Sequence, residues 1–240
     1  MKENFNIQKA KHVSTHPLTG EKLYFEEEKH IYAYIDKNNE THILASVSAF
    51  ISQYMPKFDT VGMATRVASK KGIDVNTVIA EWEKKRNDAC TFGTKIHAHQ
   101  EAMLKNESAE FDFVGEREIK IAEAGKQAIK DIYKKEWWLY QCELPVFSSQ
   151  YKIAGTIDVI FKRGNEWMIA DWKTNEKIDT RNFYGGKALN PISHLDDCSF
   201  VKYSIQLNLY ERLLRNAGYI SDKEKVRKTI FHLKEKEYEA

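Results

Sequence analysis

The spacing of apolar and polar residues changes twice along the chain. From Lys22 to Ser48, KLYFEEEKHIYAYIDKNNETHILASVS alternates around Lys37-Asn38-Asn39-Glu40, a composition suited to a turn, and so predicts a β-hairpin. From Ala49 to about Lys105 the apolar residues fall at helical intervals, with breaks at Met55-Pro56, Lys71-Gly72-Ile73-Asp74 and Phe92-Gly93-Thr94. Thr94 is the expected N-cap of a helix carrying KIHAHQEAML. A further helix is expected over residues 115 to 136, where Ile119, Ala122, Lys126, Ile129 and Tyr133 recur at helical spacing. Strand-type runs begin at Trp137 with WWLYQCELPVF, continue on both sides of Gly164-Asn165, and return in VRKTIFHLK. The helical stretch SFVKYSIQLNLYERLLRNAG precedes that last strand and ends at Gly218. The second half thus reads α, β, β, β, α, β, an α/β (α+β) arrangement with a small mixed sheet flanked by helices. No repeat or linker interrupts the chain, so one domain is expected over 1–240, with 1–92 as the N-terminal hairpin and helical part and 93–240 as the core.

Gly164-Asn165 is a two-residue hairpin turn signal between IDVIF and WMIAD. With those two residues as the loop, Arg163 faces Glu166 and, further along, Asp158 faces Asp171. Directly opposed side chains lie about 4.5 to 5.5 Å apart at Cβ, where two like charges are destabilising unless something neutralises them. Lys173, two residues beyond Asp171, points to the same face. Two carboxylates and an amine on one patch suit Mg²⁺ or Mn²⁺ rather than zinc, because hard cations take oxygen ligands. Such a patch could polarise a phosphoryl oxygen and activate water, which makes phosphodiester hydrolysis the natural reaction. The alternative is that both aspartates sit at wet strand ends and Lys173 forms a surface ion pair of little worth.

Composition narrows the classes. With 42% hydrophobic and 30% charged residues, the 240-residue chain has the make-up of an ordinary globular protein. No apolar run approaches the roughly 18 residues of a membrane span. The start, MKENFNIQKAKH, lacks the apolar core of a leader, so a cytoplasmic protein with no membrane partner is the expectation, or a viral one acting in host cytoplasm. Cys90, Cys142 and Cys198 are scattered and odd in number, which supports neither a disulfide framework nor a cysteine zinc site. A net charge of +2 permits nucleic-acid binding without arguing for it.

Four further pieces in order, Gly93-Thr94-Lys95-Ile96-His97, Gly155-Thr156-Ile157-Asp158, Asp171-Trp172-Lys173 and Gln206-Leu207-Asn208-Leu209-Tyr210, together with the weaker Ser46-Val47-Ser48, give a resemblance. The sequence resembles the PD-(D/E)XK nuclease superfamily, in particular its RecB-like branch, which includes stand-alone phage exonucleases and the mitochondrial genome maintenance exonuclease. The resemblance implies a restriction-endonuclease-like core and a metal-dependent DNA exonuclease acting in recombination or repair, with a recombination or single-strand-binding protein as a further partner. It implies His97, Asp158 and Asp171 on the metal, Lys173 at the nucleophile, and Gln206, Tyr210, Ser46 and Ser48 at the substrate. Glu101, one turn from His97, is a candidate to orient the imidazole, and Glu143 a candidate to extend the acidic cluster, with a solvated edge glutamate as its alternative. The long connection NEKIDTRNFYGGKALNPISHLDDC offers Lys187 and Arg181, with Tyr184 and Gly185-Gly186, for phosphate contact and stacking. Scattered cysteines leave no basis for an iron-sulfur cluster, and without a GxxxxGK[ST] loop no ATP site is expected. A competing reading is a non-catalytic nucleic-acid-binding domain on a nuclease fold; opposed carboxylates that repel phosphate argue against it.

Overall fold

In the computed structural model, which describes residues 5–240, the alternating stretch expected to form one hairpin holds three strands, and a fourth before it completes an antiparallel meander. The first four residues of the start considered above for a leader lie outside the described residues. The strands are β1 (Lys11–Thr15), β2 (Lys22–Glu26), β3 (Ile31–Ile35) and β4 (Thr41–Ser46), paired in chain order. The expected turn lies between β3 and β4, where the Asp36 carboxylate accepts from the backbone N–H of Asn38 and Glu40 at 2.8 and 2.9 Å. The charged run Glu26-Glu27-Glu28-Lys29 hides the β2–β3 pairing from a hydrophobicity pattern. Glu26 is buried there, accepting from Asn6 N at 2.8 Å and pairing with Lys29 at 2.9 Å.

Helices follow: α1 (Val47–Ser52), α2 (Thr60–Lys71), α3 (Val75–Lys105) and α4 (Glu116–Lys134). Asp59 and Asp74 cap α2 and α3, and Gly72, at φ 65°, ends α2 as the sequence signals. The expected break at Phe92-Gly93-Thr94 is absent, and Thr94 is no N-cap: α3 runs unbroken for 31 residues. Phe92, Ile96, Gln100 and Leu104 are all buried at four-residue spacing, so one continuous face packs inward. That packing outweighs the roughly 1 kcal/mol cost of a helical glycine. The division placed between residues 92 and 93 consequently falls inside a helix.

The second half follows the predicted order, with β5 (Trp138–Ser148), β6 (Ile153–Arg163), β7 (Glu166–Lys173), α5 (Ser199–Asn216) and β8 (Lys225–Leu233), plus a short β9 (Tyr238–Glu239). The architecture is mixed α/β: a nine-stranded mixed sheet and five helices among the described residues. Under α3 and α4, Ile96, Ile121 and Ile129 meet Val159, Phe161, Ala170 and Trp172. On the opposite face α1 and α5 supply Val47, Ile51, Leu207 and Leu213 against Ile157, Ile160 and Ile169. No helix of the described residues is long and apolar enough to cross a membrane.

Two irregularities of β6 place the site. One edge pairs with β5 from Ile153 to Lys162, with a register shift between Leu139 and Gln141, but the other is shared: parallel β4 takes Ile153 and Ala154, and antiparallel β7 takes Val159 to Arg163. Gly155 to Asp158 have no strand partner on that edge. The pleat also reverses at Asp158 and at Glu143, which lies opposite it on β5. Cys142 and Val159 join the core under α3 and α4, whereas Leu144 and Ile157 join the other. Glu143 has a left-handed φ of 45°, the local rotation that such a reversal requires.

Candidate metal centre

The Gly164-Asn165 hairpin has the expected register, Arg163 opposite Glu166 through Val159 opposite Ala170, with Gly164 at φ 55°. The ladder stops one pair short of Asp158 and Asp171. β7 continues its ladder with β8 through Lys173, and on its other edge Asp158 Oδ2 accepts from the Trp172 backbone N–H at 3.0 Å. The carboxylate thus takes over a donor that the interrupted ladder leaves over.

From α3, His97 Nε2 donates to the Trp172 carbonyl at 2.9 Å. A carbonyl only accepts, so the proton is on Nε2, and a neutral ring keeps its lone pair on Nδ1. Nδ1 lies 3.4 Å from Asp158 Oδ2. Glu143 completes the cluster: one ligand atom each of His97, Glu143 and Asp158 fall within 4.8 Å of one another. Burial, with Asp158 and Glu101 adding to it, pushes the Glu143 carboxyl up to about 8. Sequence reasoning set Glu143 outside the first ring of ligands because the β5–β6 register was not legible. Its one signal was a carboxylate within the apolar run CELPVF.

Asp171 is 2% exposed. Its Oδ2 pairs with Lys173 Nζ at 2.6 Å, and its Oδ1 accepts from Gln206 Nε2 at 3.3 Å. Burial, reinforced by the charge of Asp158 and opposed by Lys173, pushes its carboxyl up to about 6. Burial alone would lower the Lys173 pKa, but Asp171 and Asp158 together outweigh it and the net shift is upward, so Lys173 is an ammonium. The ring of Tyr203 covers that ammonium at 4.7 Å and its hydroxyl donates to Asn175 Oδ1 at 3.0 Å. Only the fold brings Tyr203 onto Lys173, from a helix 30 residues further along the chain.

Gln206 and Tyr210 share the α5 face toward this patch, with Gln206 Nε2 3.5 Å from the Tyr210 hydroxyl. Burial raises the Tyr210 phenol strongly, so the hydroxyl stays protonated. Gly155 makes room for the ring: a Cβ there would lie 2.9 Å from Tyr210 Cε1 and 3.2 Å from Val47 Cγ2. Ser46 caps α1, its Oγ accepting from Ala49 N at 3.1 Å, and Ser48 Oγ lies 3.1 Å from it. Glu101 does not serve His97 as the sequence suggested. It pairs with Lys105 at 2.5 Å, and the Trp172 carbonyl orients the imidazole instead. Lys187 is engaged by Asp196 at 2.5 Å within its own loop.

The donor set fits a hard divalent cation. It offers carboxylate oxygens and one imidazole nitrogen, in a place where burial first and neighbouring carboxylates second raise the pKa of Glu143 and Asp171. Comparison of the sequence with protein-family models and with curated proteins found no match.

Proposed function

We propose that the protein is a metal-dependent deoxyribonuclease of the PD-(D/E)XK type, on a restriction-endonuclease-like core, that hydrolyses phosphodiester bonds at DNA ends. The observation that carries this reading is the His97, Glu143 and Asp158 cluster beside the pair formed by buried Asp171 and half-buried Lys173. His97 through Nδ1, Asp158 and Glu143 would hold Mg²⁺ or Mn²⁺, with Asp171 adjoining. Bound there, the ion supplies Lewis-acid polarisation of a phosphoryl oxygen and a water of lowered pKa.

The chain's own residues supply the rest. Lys173, held as an ammonium by its carboxylate neighbours, stabilises the negative charge that develops on the phosphoryl oxygens. Gln206, whose amide carries two N–H donors, would offer one to a phosphate oxygen, and Tyr210 has a protonated hydroxyl. The exonuclease mode, and a recombination or repair role with its protein partner, rest on the family resemblance alone.

The test is incubation with end-labelled single- and double-stranded DNA in Mg²⁺, Mn²⁺ or EDTA. Metal-dependent release of labelled nucleotides is expected. Binding without hydrolysis in either metal would overturn the catalytic reading and leave a non-catalytic nucleic-acid-binding domain.

A further inference from the structure

Between β7 and α5, which carry half of the site, the chain makes a long connection that presents two consecutive aromatic rings to solvent. Phe183 is 63% exposed and Tyr184 100% exposed. The connection is braced from within. Asn182 N donates to Asp196 Oδ2 at 3.0 Å, Asn182 Nδ2 to the Asp197 carbonyl at 2.9 Å, and Tyr184 N to Asn182 Oδ1 at 2.9 Å. Gly186 leaves space for that amide, since a Cβ there would lie 2.5 Å from Asn182 Nδ2. Its first residues are tied to α5: the Tyr203 hydroxyl donates to Asn175 Oδ1, and Asp179 N donates to Ser199 Oγ at 2.8 Å.

The cations differ in what they can still do. Lys187 is held by Asp196 and Lys177 by Asp179, each at 2.5 Å. Arg181 has no ion pair among the described residues; its guanidinium lies over the Phe183 ring at 4.7 Å. The result is an uncommitted guanidinium, stacked and oriented, next to a tyrosine ring with both faces open.

We propose that this connection is a stacking platform for unpaired nucleic acid, with Tyr184 taking a base and Arg181, steadied by Phe183, taking a phosphate. The proposal rests on the nucleic-acid reading above and narrows its substrate to a strand with unstacked bases. A paired base inside a duplex has no free face to offer, whereas every unpaired base does. Positive charge beside the ring complements the backbone, and a platform already ordered by its own hydrogen bonds loses little freedom on binding.

Fluorescence anisotropy in EDTA, with a labelled oligothymidylate and a blunt duplex of equal length, tests it on the full chain. Tyr184→Ala should weaken oligothymidylate binding roughly 5- to 150-fold, as expected for one stacked base, with duplex binding little changed. Tyr184→Phe should keep the single-strand affinity. Arg181→Ala should flatten the salt dependence by roughly 0.7 in log K against log salt, one phosphate contact on a single strand. Unchanged oligothymidylate binding in Tyr184→Ala, an equal loss on the duplex, or no binding by the parent protein overturns the proposal. Hydrolysis by the parent protein in Mn²⁺ is scored separately. A failed platform with intact hydrolysis leaves the nuclease reading standing, and Tyr184-dependent binding without hydrolysis does the reverse.

Discussion

At the scale of single residues, the site is a balance of charges that the protein by itself leaves incomplete. Removing the Lys173 ammonium removes the cation that faces the site's carboxylates, so Lys173→Ala should lower metal-dependent cleavage by about 10²- to 10³-fold, the usual cost of one charge-stabilising group. Asp171→Asn should cost a comparable factor; single-turnover rates in Mn²⁺ check both, and near-native rates would refute the assignment. Asp158→Asn keeps an oxygen to accept from Trp172 N while relieving repulsion with Glu143 and Asp171. It should leave the metal-free protein equally stable or raise stability by about 1 kcal/mol or less, read from urea unfolding in EDTA. Gly155→Ala has the opposite outcome. Its methyl group would press on Tyr210 and Val47, and a loss of about 1 to 3 kcal/mol is expected from overpacking.

At the scale of elements, α3 is the clearest case of tertiary packing overruling a local signal. Phe92-Gly93-Thr94 reads as a break because glycine is a poor helix former and threonine a good cap. Yet the buried positions keep their spacing on both sides, and the helix carries His97 across to the Trp172 carbonyl. A Cβ at Gly93 would meet only Thr174 Oγ1, at 3.8 Å. Gly93→Ala should therefore stabilise the protein by about 0.5 to 1 kcal/mol through backbone entropy, measured by denaturant unfolding. The β6–β7 hairpin shows the converse. Its turn chemistry and alternation are local, so its register was legible from Gly164-Asn165 outward. The parting of the strands at Asp158 was not, because it depends on β4 taking up the far end of the same edge.

At the scale of the whole molecule, the buried carboxylates link stability to pH and metal. A folded Glu143 near 8 and Asp171 near 6, against ordinary values of 4.5 and 3.8, mean that the folded protein binds more protons than the unfolded chain between those limits. Metal-free stability should therefore fall as pH rises from about 4 to 8 through these two groups, and Glu143→Gln should flatten the upper part of that decline. Thermal unfolding in EDTA across that range checks the sign; stability rising from pH 6 to 8 in step with these groups would contradict it. Mn²⁺ or Mg²⁺ should reverse the decline at pH 8, with stabilisation of about 2.7 kcal/mol when the ion is at a hundred times its Kd.

What the sequence determined by itself is whatever short-range chemistry encodes. That covers the order of helices and strands in the second half, the turn at Gly164-Asn165 with its register, and Asp171 and Lys173 on one strand face. Each follows from residues a few positions apart, whose geometry the backbone dictates. What only the tertiary structure decided lies where distant segments meet. Glu143 enters the cluster through the β5–β6 register and a reversal of the pleat. His97 is oriented by a carbonyl 75 residues away rather than by Glu101 on its own helix. Tyr203 covers Lys173 because α5 packs over the end of β7. Lys187, offered in the sequence for phosphate contact, pairs with Asp196 across its own loop. Side-chain partners of this kind are settled by which surfaces the core brings together, and no local pattern carries that information.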